Sequence, residues 1–486
     1  MATDSLVQTV PAPRPLQWSG AACALAFALL TAVLLGESAL LALLLPVFIL
    51  FLVPLLRSQM AGAILLLFFV PLLSGMPRGQ IVPFLRGNEI LLALVFGAYM
   101  LTLVLGRAQR LPTSFLEKAF LLLLFARSIL PLIAHPLDFA GDPTKLVKFF
   151  LAPVQYYFIY RLILGAVKRE GQILTILRTM ILAALIVAIV GLLQITRFPG
   201  LAQLYGYYYP SAEAVYTFVH SVRVTSLFHS LSGGDTQFHG GGWNVAGFYL
   251  AQSLLIGIVL YQFEPKRAFR RTLMFILPLI CLVMVLSFSF TSVISLIAVA
   301  IYIGYRRRSL KRYLVRAVPP ILIFGSFAAV FFAEEFAQRM SLQFSGTWIP
   351  ITLLARIDLW MNRALPAVAE HLLLGFGPSR YDWVAAESVY LYIVANCGIF
   401  GLAGFIWFLV LVWRRFSALS RLHAPDSFTG ALTLLSLGML LQIALASTTG
   451  HYFEFSGASE QLWAVWGVTI LAHRMNRPKD AADSSR

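Results

Sequence analysis

Apolar residues recur along the chain in blocks separated by short polar connections. Each block holds roughly 17–23 residues, the helical length that crosses a hydrocarbon core about 30 Å thick. The blocks lack the alternation typical of barrel strands, and backbone polar groups cannot stay unpaired in lipid, so helices are expected. The pattern predicts an all-α fold, a polytopic transmembrane helix bundle of about 14 spans, with a range of roughly 12–14.

The predicted spans follow one another closely, and two of the hairpins among them are also consistent with one long tilted or broken helix. These two hairpins lie at Gly36-Glu37 and around Phe288. The predicted spans are 20–35, 38–56, 60–76, 88–106, 116–134, 146–165, 178–196, 243–262, 272–288, 289–305, 316–333, 398–413, 429–448 and 457–473.

Two predicted extracytoplasmic connections, 197–242 and 334–397, are far longer than the others. Loops of this length in a compact protein usually carry function, and the second contains stretches with helical periodicity. The predicted organisation is an N-terminal tail (1–19), N-terminal helices (20–196), the first long loop (197–242), central helices (243–333), the second long loop with site helices (334–397), C-terminal helices (398–473) and a tail (474–486).

Composition supports a membrane protein, because 59% of the 486 residues are hydrophobic and only 12% are charged. The mean hydropathy is +0.82. The net charge of +16 comes from Lys and Arg clusters that fall on one side of the predicted topology. This satisfies the positive-inside rule with both termini cytoplasmic, so the charge indicates topology and membrane-lipid contacts, and nucleic acid is not an expected partner.

Arg356, Trp360 and Arg363 stand at i, i+4 and i+7 in the second long loop and are predicted to share one helix face. The fork-shaped donors of arginine match the oxygens of a pyrophosphate. The alternative is a set of interfacial residues, with arginines that snorkel and a tryptophan in the aromatic belt.

Arg223 lies in the first long loop after four tyrosines whose ring faces could hold sugars, although an interfacial aromatic belt explains the tyrosines better. Glu387 stands at the start of an apolar helical stretch, on one face with Tyr390. A helix-capping role for Glu387 and a catalytic one are both open, since an acid in the first turn interacts favourably with the helix dipole.

Several familiar motifs are absent from the sequence. The predicted outer loops contain no HExxH or DxD, and His451 with Glu454 does not by itself form a metal site. Neither GxxxxGK[ST] nor GxGxxG occurs anywhere in the chain. Chemistry driven by ATP or by a sugar nucleotide in the cytoplasm is therefore not expected.

Three stretches in order resemble one known family. They are "VRVTSLF" with "WNVAGFYL" (222–228 and 243–250), "ARIDLWMNRALPAVAEHLLLGFGPSRY" (355–381) and "ESVYLYIVANCGIFGLAGF" (387–405). Together with the topology, they resemble the superfamily of O-antigen ligases and of O-antigen and exopolysaccharide polymerases.

The resemblance implies an inverting, metal-independent glycosyltransferase, without a cofactor, on the outer face of the bacterial inner membrane. The donor would be a glycan on undecaprenyl pyrophosphate, the acceptor a glycan or lipid-linked hydroxyl, and polysaccharide chain-length or export proteins would be partners. Arg223 and Arg356 would stabilise the leaving pyrophosphate, and Glu387 would be the third catalytic residue. The implied substrate-binding residues are Asn244, Trp360, Arg363, Arg380, Ser388, Tyr390 and His451.

The chain departs from the ligase pattern at one point, where ligases commonly carry His-Asn and this chain has Glu387-Ser388. A glutamate can act as the base if its surroundings raise its basicity, or it can only position the acceptor. The pair favours a polymerase over a ligase. A flippase for lipid-linked sugars and a scaffold subunit of an export complex are the alternatives from other classes.

Overall fold

The structure is a computed structural model that describes residues 58–76, 86–106, 114–136, 143–208, 223–228, 242–308, 350–377 and 388–476, with isolated positions elsewhere. Residues 1–57 and 58–486 form two separate compact units. Leu55 is the described residue of the first unit. The helices below belong to the second unit.

Every regular element of the described ranges is a helix, so the all-α prediction is confirmed there. The α-helices are α1 (Gln59–Leu73), α2 (Gly87–Val104), α3 (Phe115–Leu124), α4 (Leu130–Ala134), α5 (Pro143–Ala166), α6 (Glu170–Ile195), α7 (Leu201–Gly206), α8 (Gly242–Phe263), α9 (Arg267–Leu286), α10 (Phe290–Arg306), α11 (Ile351–Leu359), α12 (Leu365–Glu370), α13 (Val389–Leu419), α14 (Phe428–Ala446) and α15 (Ala458–Met475). A short 3-10 turn, Tyr452–Glu454, precedes α15.

Within the described ranges, six helices are long and apolar enough to cross a membrane: α2, α6, α8, α9, α13 and α14. Helices α1 and α10 are apolar but shorter. The chain is therefore a membrane protein with several spanning helices. The predicted spans 20–35 and 38–56, and most of 316–333, lie outside the described residues.

The turn around Phe288 separates two helices, α9 and α10. This agrees with the predicted hairpin and not with one continuous helix. Phe288 takes a left-handed backbone conformation, with φ of 50°. This conformation is uncommon for a residue other than glycine and costs roughly 1–2 kcal/mol. The packing of the surrounding helices holds the turn, and Phe288 itself is buried.

Helix α13 begins before the predicted span of 398–413 and includes the helical stretch that the sequence placed at the end of the second long loop. Residues 389–397 were assigned to the second long loop, but they form the first part of α13 and are mostly buried. The helix is interrupted at Gly398, which has φ of 66° and ψ of −169°. The sequence therefore predicted helical residues on both sides of Gly398, and it started the membrane span at the break.

Two π-helical turns interrupt α-helical stretches of the described chain. Phe125–Ile129 lies between α3 and α4, inside a region predicted as one regular span, and Trp360–Ala364 lies between α11 and α12. A π turn accommodates an additional residue in a helix, and such turns are frequent at functional sites.

Side-chain contacts define the two ends of the helix bundle. At one end, Asn88 at the start of α2 donates to Ser456, and Gln194 near the end of α6 donates to Arg223. We call this the Arg223 end. At the opposite end, Arg306 of α10 donates to Ser420, which follows α13. We call this the basic end because it carries Lys168, Arg169, Lys266, Arg267, Arg306, Arg307, Arg308, Arg421 and Arg474.

Candidate functional site

Arg223 is held at the start of a short described segment, 223–228, that packs on the turn between α9 and α10. Its Nε lies 3.4 Å from the carbonyl oxygen of Ser287, and its Nη2 lies 3.4 Å from that of Phe288. Nη2 also lies 3.4 Å from Oδ1 of Asn244, close to the start of α8. These three acceptors are neutral, so they orient the guanidinium group without adding a negative charge.

The contact between Arg223 and Asn244 brings together two residues that the sequence assigned to one site. They are separated by 21 positions in the chain. Most of the loop between them lies outside the described residues. The pairing therefore depends on how α8 and the 223–228 segment pack against the same turn.

The side chain of Gln194 holds the backbone of residues 223–226 by hydrogen bonds. Its Nε2 donates to the carbonyl oxygen of Arg223 at 3.0 Å, and its Oε1 accepts from the backbone N–H groups of Thr225 and Ser226 at 2.9 and 3.1 Å. The hydroxyl of Tyr205 donates to the same Oε1 at 3.0 Å. Gln194 is fully buried, so it supplies partners that water cannot provide there.

The sequence did not single out Gln194 as part of a site. Its only signal is position, since it is a polar side chain in the last turn of an otherwise apolar helix, "AIVGLLQI". A polar residue at the head of a span is common, and the Arg223 segment that it holds begins 29 positions away. The tyrosines that precede Arg223 are also not all available to hold a sugar ring, because Tyr205 and Tyr208 are buried.

Tyr208 is buried among the helices, so its ring face is not exposed to a sugar. Its hydroxyl donates to the carbonyl oxygen of Leu72 at 2.7 Å. Burial raises the pKa of the Tyr208 phenol to about 12, so it stays a neutral donor at physiological pH. Tyr207 is exposed, whereas Tyr209 lies outside the described residues.

The first turn of α13 is anchored to the end of α14. The hydroxyl of Ser388 donates to the carbonyl oxygen of Ser447 at 3.3 Å, and the backbone N–H of Val389 donates to the same oxygen at 3.0 Å. Two residues further on, the hydroxyl of Tyr390 donates to the carbonyl oxygen of Ala444 at 2.9 Å. Both predicted substrate-binding residues of this turn are therefore fixed to α14.

The α13 start and the Arg223 site are neighbours through α10 and α14. The hydroxyls of Thr291 and Thr449 lie 2.9 Å apart, and Thr291 follows the turn whose carbonyl oxygens accept from Arg223. His451 stands two residues after Thr449, with its ring edge-on to Tyr392, 5.1 Å between centroids. Arg223, Asn244, Ser388, Tyr390 and His451 thus lie at one end of the bundle.

Ser447 is a polar residue of this region that the sequence did not reveal. It is 2% exposed, and its hydroxyl oxygen is buried without a hydrogen-bond partner among the described residues. Its carbonyl oxygen accepts from Ser388 and Val389. A buried hydroxyl beside the first turn of α13 is a ready donor or acceptor for a bound molecule.

Residues 351–377, which we call the arm, contain Arg356 in α11 and both Trp360 and Arg363 in the π turn between α11 and α12. The predicted shared face is interrupted by the π turn at Trp360–Ala364. Arg356 and Trp360 are half-buried, whereas Arg363 is exposed. Arg363 therefore does not share the partial burial of the other two residues.

The arm docks on α13 through backbone contacts around Gly398. The N–H of Phe376 donates to the carbonyl oxygen of Ala395, and the N–H of Ile399 donates to that of Leu372, both at 2.8 Å. These bonds satisfy backbone groups that the break in α13 would otherwise leave unpaired. The docked surface is apolar and contains Ala364, Val368, Phe376, Val394 and Ala395.

Two of the predicted site residues, Glu387 and Arg380, lie outside the described residues. Glu387 directly precedes Ser388 in the sequence, so it is one residue from the anchored first turn of α13. No three His, Cys, Asp or Glu side chains of the described ranges come close enough to share a metal ion.

Comparisons with known proteins add no family to this description. A scan of the chain against protein-family models finds no match, and a search of curated proteins finds no significant match.

Proposed function

We propose that the protein is a membrane glycosyltransferase, a polysaccharide polymerase that takes its glycan from undecaprenyl pyrophosphate. Three ordered motifs support the proposal by resemblance, and each contains one of Arg223, Arg356 and Glu387. The structural observation that carries it is the fixed guanidinium of Arg223 beside Asn244, at the end of the bundle opposite the basic clusters.

The orientation of the proposed enzyme follows from the charges at the two ends. In membrane proteins, loops rich in Lys and Arg lie on the cytoplasmic side, which is the positive-inside rule. The rule assigns the basic end of the bundle, and both termini, to the cytoplasm. The Arg223 end then faces the periplasm of a bacterial inner membrane. A lipid-linked donor presents its pyrophosphate at that membrane surface, where Arg223 and Ser388 would meet it in this proposal.

In the proposed reaction an acceptor sugar hydroxyl attacks the anomeric carbon of the donor glycan with inversion. The bond between that carbon and the pyrophosphate oxygen breaks, and the electron pair leaves with undecaprenyl pyrophosphate. Arg223 and Arg356 stabilise the negative charge that develops on the leaving group. Glu387 accepts the proton of the acceptor hydroxyl, or holds that hydroxyl in place while water accepts the proton.

Asn244 has a positioning role in this proposal. Its Oδ1 accepts from Nη2 of Arg223, which limits rotation of the guanidinium group about its side chain. A guanidinium group held in one orientation offers two parallel N–H donors to phosphate oxygens, whereas the ammonium group of a lysine does not. The first turn of α13, held by Ser447, would carry the acceptor side of the site.

The experiment is transfer by purified protein supplied with lipid-linked repeat units, without nucleotide or added metal. Laddered products support a polymerase, and a single transfer onto a lipid or protein acceptor shows a ligase instead. Movement of the lipid across a vesicle without a glycosidic product shows a flippase.

Matched arginine variants test the site assignment in the same assay. Arg223→Ala and Arg223→Lys should each lower the rate by about 100-fold or more, the loss typical of a removed electrostatic stabiliser. Arg197→Ala is the control, because Arg197 is an exposed arginine at the same end of the bundle. Equal activity of the Arg223 and Arg197 variants would refute the assignment.

A further inference from the structure

Two glutamines, Gln252 of α8 and Gln442 of α14, are fully buried inside the helix bundle. In each of them, both Oε1 and Nε2 are buried and have no hydrogen-bond partner among the described residues. A carboxamide offers two N–H donors and an oxygen with two lone pairs. Because unpaired polar groups are costly inside a protein and in a membrane, two such amides in spanning helices indicate a bound polar group.

Gln442 lies opposite Ser295 in the contact between α14 and α10. The two helices run in opposite directions and touch at Gly438, where an added Cβ would lie 2.8 Å from Cγ1 of Val299. One helical turn closer to the Arg223 end, the next residues on these two faces are Gln442 and Ser295. Ser295 is 1% exposed, and its hydroxyl donates to a carbonyl oxygen of its own helix, so its oxygen can accept a hydrogen bond.

Gln252 approaches the same level from α8, which packs on both α10 and α14. At Gly247 of α8, an added Cβ would lie 3.2 Å from Oγ of Ser292, one turn before Ser295. Phe248 packs on Tyr452, just beyond the end of α14, with 4.6 Å between ring centroids. Gln252 is one turn further along this face of α8, so its amide is directed at α14 beside Gln442 and Ser295.

We propose that Gln252, Ser295 and Gln442 form a binding site for water between α8, α10 and α14. The three side chains are neutral, so they do not balance the charge of an ion. They offer donors and acceptors together, and water is the small molecule that satisfies both kinds of group. A buried water typically makes about three hydrogen bonds to protein groups that would otherwise be unsatisfied, which matches a site of three polar residues.

A row of buried serines on α10 connects the proposed water site with the turn that holds Arg223. The carbonyl oxygen of Phe288 in that turn accepts from Arg223. The hydroxyls of Ser289 and Ser292 lie 2.7 Å apart, and the carbonyl oxygen of Ser292 accepts from Ser295 at 3.1 Å. This row gives water a polar route into the bundle from the Arg223 end. The water site does not depend on the proposed function.

The test is X-ray hydroxyl-radical footprinting of the purified full-length protein in detergent, read by mass spectrometry. Radicals formed from a water at the site should oxidise Met439 to its sulfoxide, although Met439 is fully buried, because it lies three residues before Gln442 on α14. Met180 in the apolar run of α6 is equally buried and should stay unmodified, whereas the exposed Met361 reports that radicals were produced. Oxidation of Met439 no faster than that of Met180 would overturn the proposal, and the two amides would then bind each other directly.

Three variants locate the water. Gln442→Leu and Gln252→Leu should each abolish the oxidation of Met439, because each removes one of the amides that hold the water. Gln203→Leu is the matched control, since Gln203 is exposed on α7, and it should leave the oxidation of Met439 unchanged. Protection of Met180 shows that each variant keeps its packing. Oxidation of Met439 that persists in both buried variants, with Met180 still protected, would contradict the assignment.

Discussion

Gly375 and Gly398 interlock, because each glycine backbone lies against the main chain beside the other. A Cβ at Gly375 would stand 2.5 Å from the carbonyl oxygen of Ala395, and one at Gly398 would overlap the backbone of Leu373. Both residues have positive φ, 72° and 66°. The arm that carries Arg356 is thus fitted to α13 at a distance only glycine allows.

The first prediction is that Gly375→Ala lowers the unfolding midpoint and separates the arm from α13. The added methyl group meets backbone atoms, which cannot move aside as a flexible side chain can. Gly106→Ala is a matched control, since Gly106 has φ of 67° and nothing within 4 Å of its added Cβ. Both variants share a left-handed strain of roughly 1–2 kcal/mol.

The overlap cost should appear only in Gly375→Ala and add about 1–3 kcal/mol, as overpacking does elsewhere. Thermal unfolding in one detergent, followed by tryptophan fluorescence, measures the difference. Equal midpoints for the two variants would mean that the interlock is looser than described.

The second prediction concerns Gln194, whose amide holds the 223–226 backbone. Gln194→Met keeps the length of the side chain but leaves buried N–H groups of Thr225 and Ser226 without their acceptor. Each unsatisfied buried group costs about 1–3 kcal/mol, so the variant should be clearly destabilised. Hydrogen exchange should be faster at Thr225 and Ser226 than in the unaltered protein.

Gln203→Met is the control for this change, because Gln203 is exposed on α7 and the substitution is the same. Its stability and exchange should match those of the unaltered protein. If both glutamine variants behave alike, the Gln194 hydrogen bonds contribute little to holding Arg223.

The third prediction concerns the ion pair between Arg178 and Glu264 near the basic end. Nε and Nη2 of Arg178 donate to the two carboxylate oxygens of Glu264 at 2.8 and 2.7 Å. The Glu264 side chain is fully buried, and removing one partner of such a pair typically costs about 3–5 kcal/mol. Glu264→Gln should therefore lower stability strongly at neutral pH.

The same pair gives a pH dependence with a definite sign. Burial raises the pKa of Glu264, but hydrogen bonds from Arg178 and from the N–H of Lys266 outweigh it, so the net pKa is below its usual 4.5. A lowered folded-state pKa gives stability that is present above the unfolded pKa and lost as pH falls through the folded value.

Unfolding midpoints measured from pH 7 down to about pH 3 should therefore converge for the unaltered protein and Glu264→Gln. Asp426→Asn is the control, because Asp426 is 85% exposed in its 3.6 Å pair with Arg307. Exposed ion pairs contribute little, so this variant should follow the unaltered protein throughout. A constant gap between Glu264→Gln and the unaltered protein would contradict the linkage.

The positions of membrane helices could be predicted because lipid burial requires only a continuous apolar run. The predicted spans 243–262 and 429–448 differ from α8 and α14 by one or two residues at each end. Gly398 could also be recognised as a boundary, since glycine accepts the positive φ found there.

Partners distant in sequence could not be predicted. Gln194 stands in the last turn of an apolar helix, and it acquires its role from Arg223, which lies 29 positions away. The helical state of 389–397 was predicted from its apolar residues, but the packing of Val394 against Val368 of α12 was not, because the two are distant in sequence.

The π turn Phe125–Ile129 has a consequence for the length of the chain at this point. A π turn holds one residue more than a regular helix needs, so a deletion within 125–129 would leave a continuous α-helix. Because the deleted residue is the surplus one, the side chains after the deletion would keep their phase relative to those before it. His135 would therefore keep its contact with the carbonyl oxygen of Leu374. A homologue that is one residue shorter here should dock the arm by the same contact.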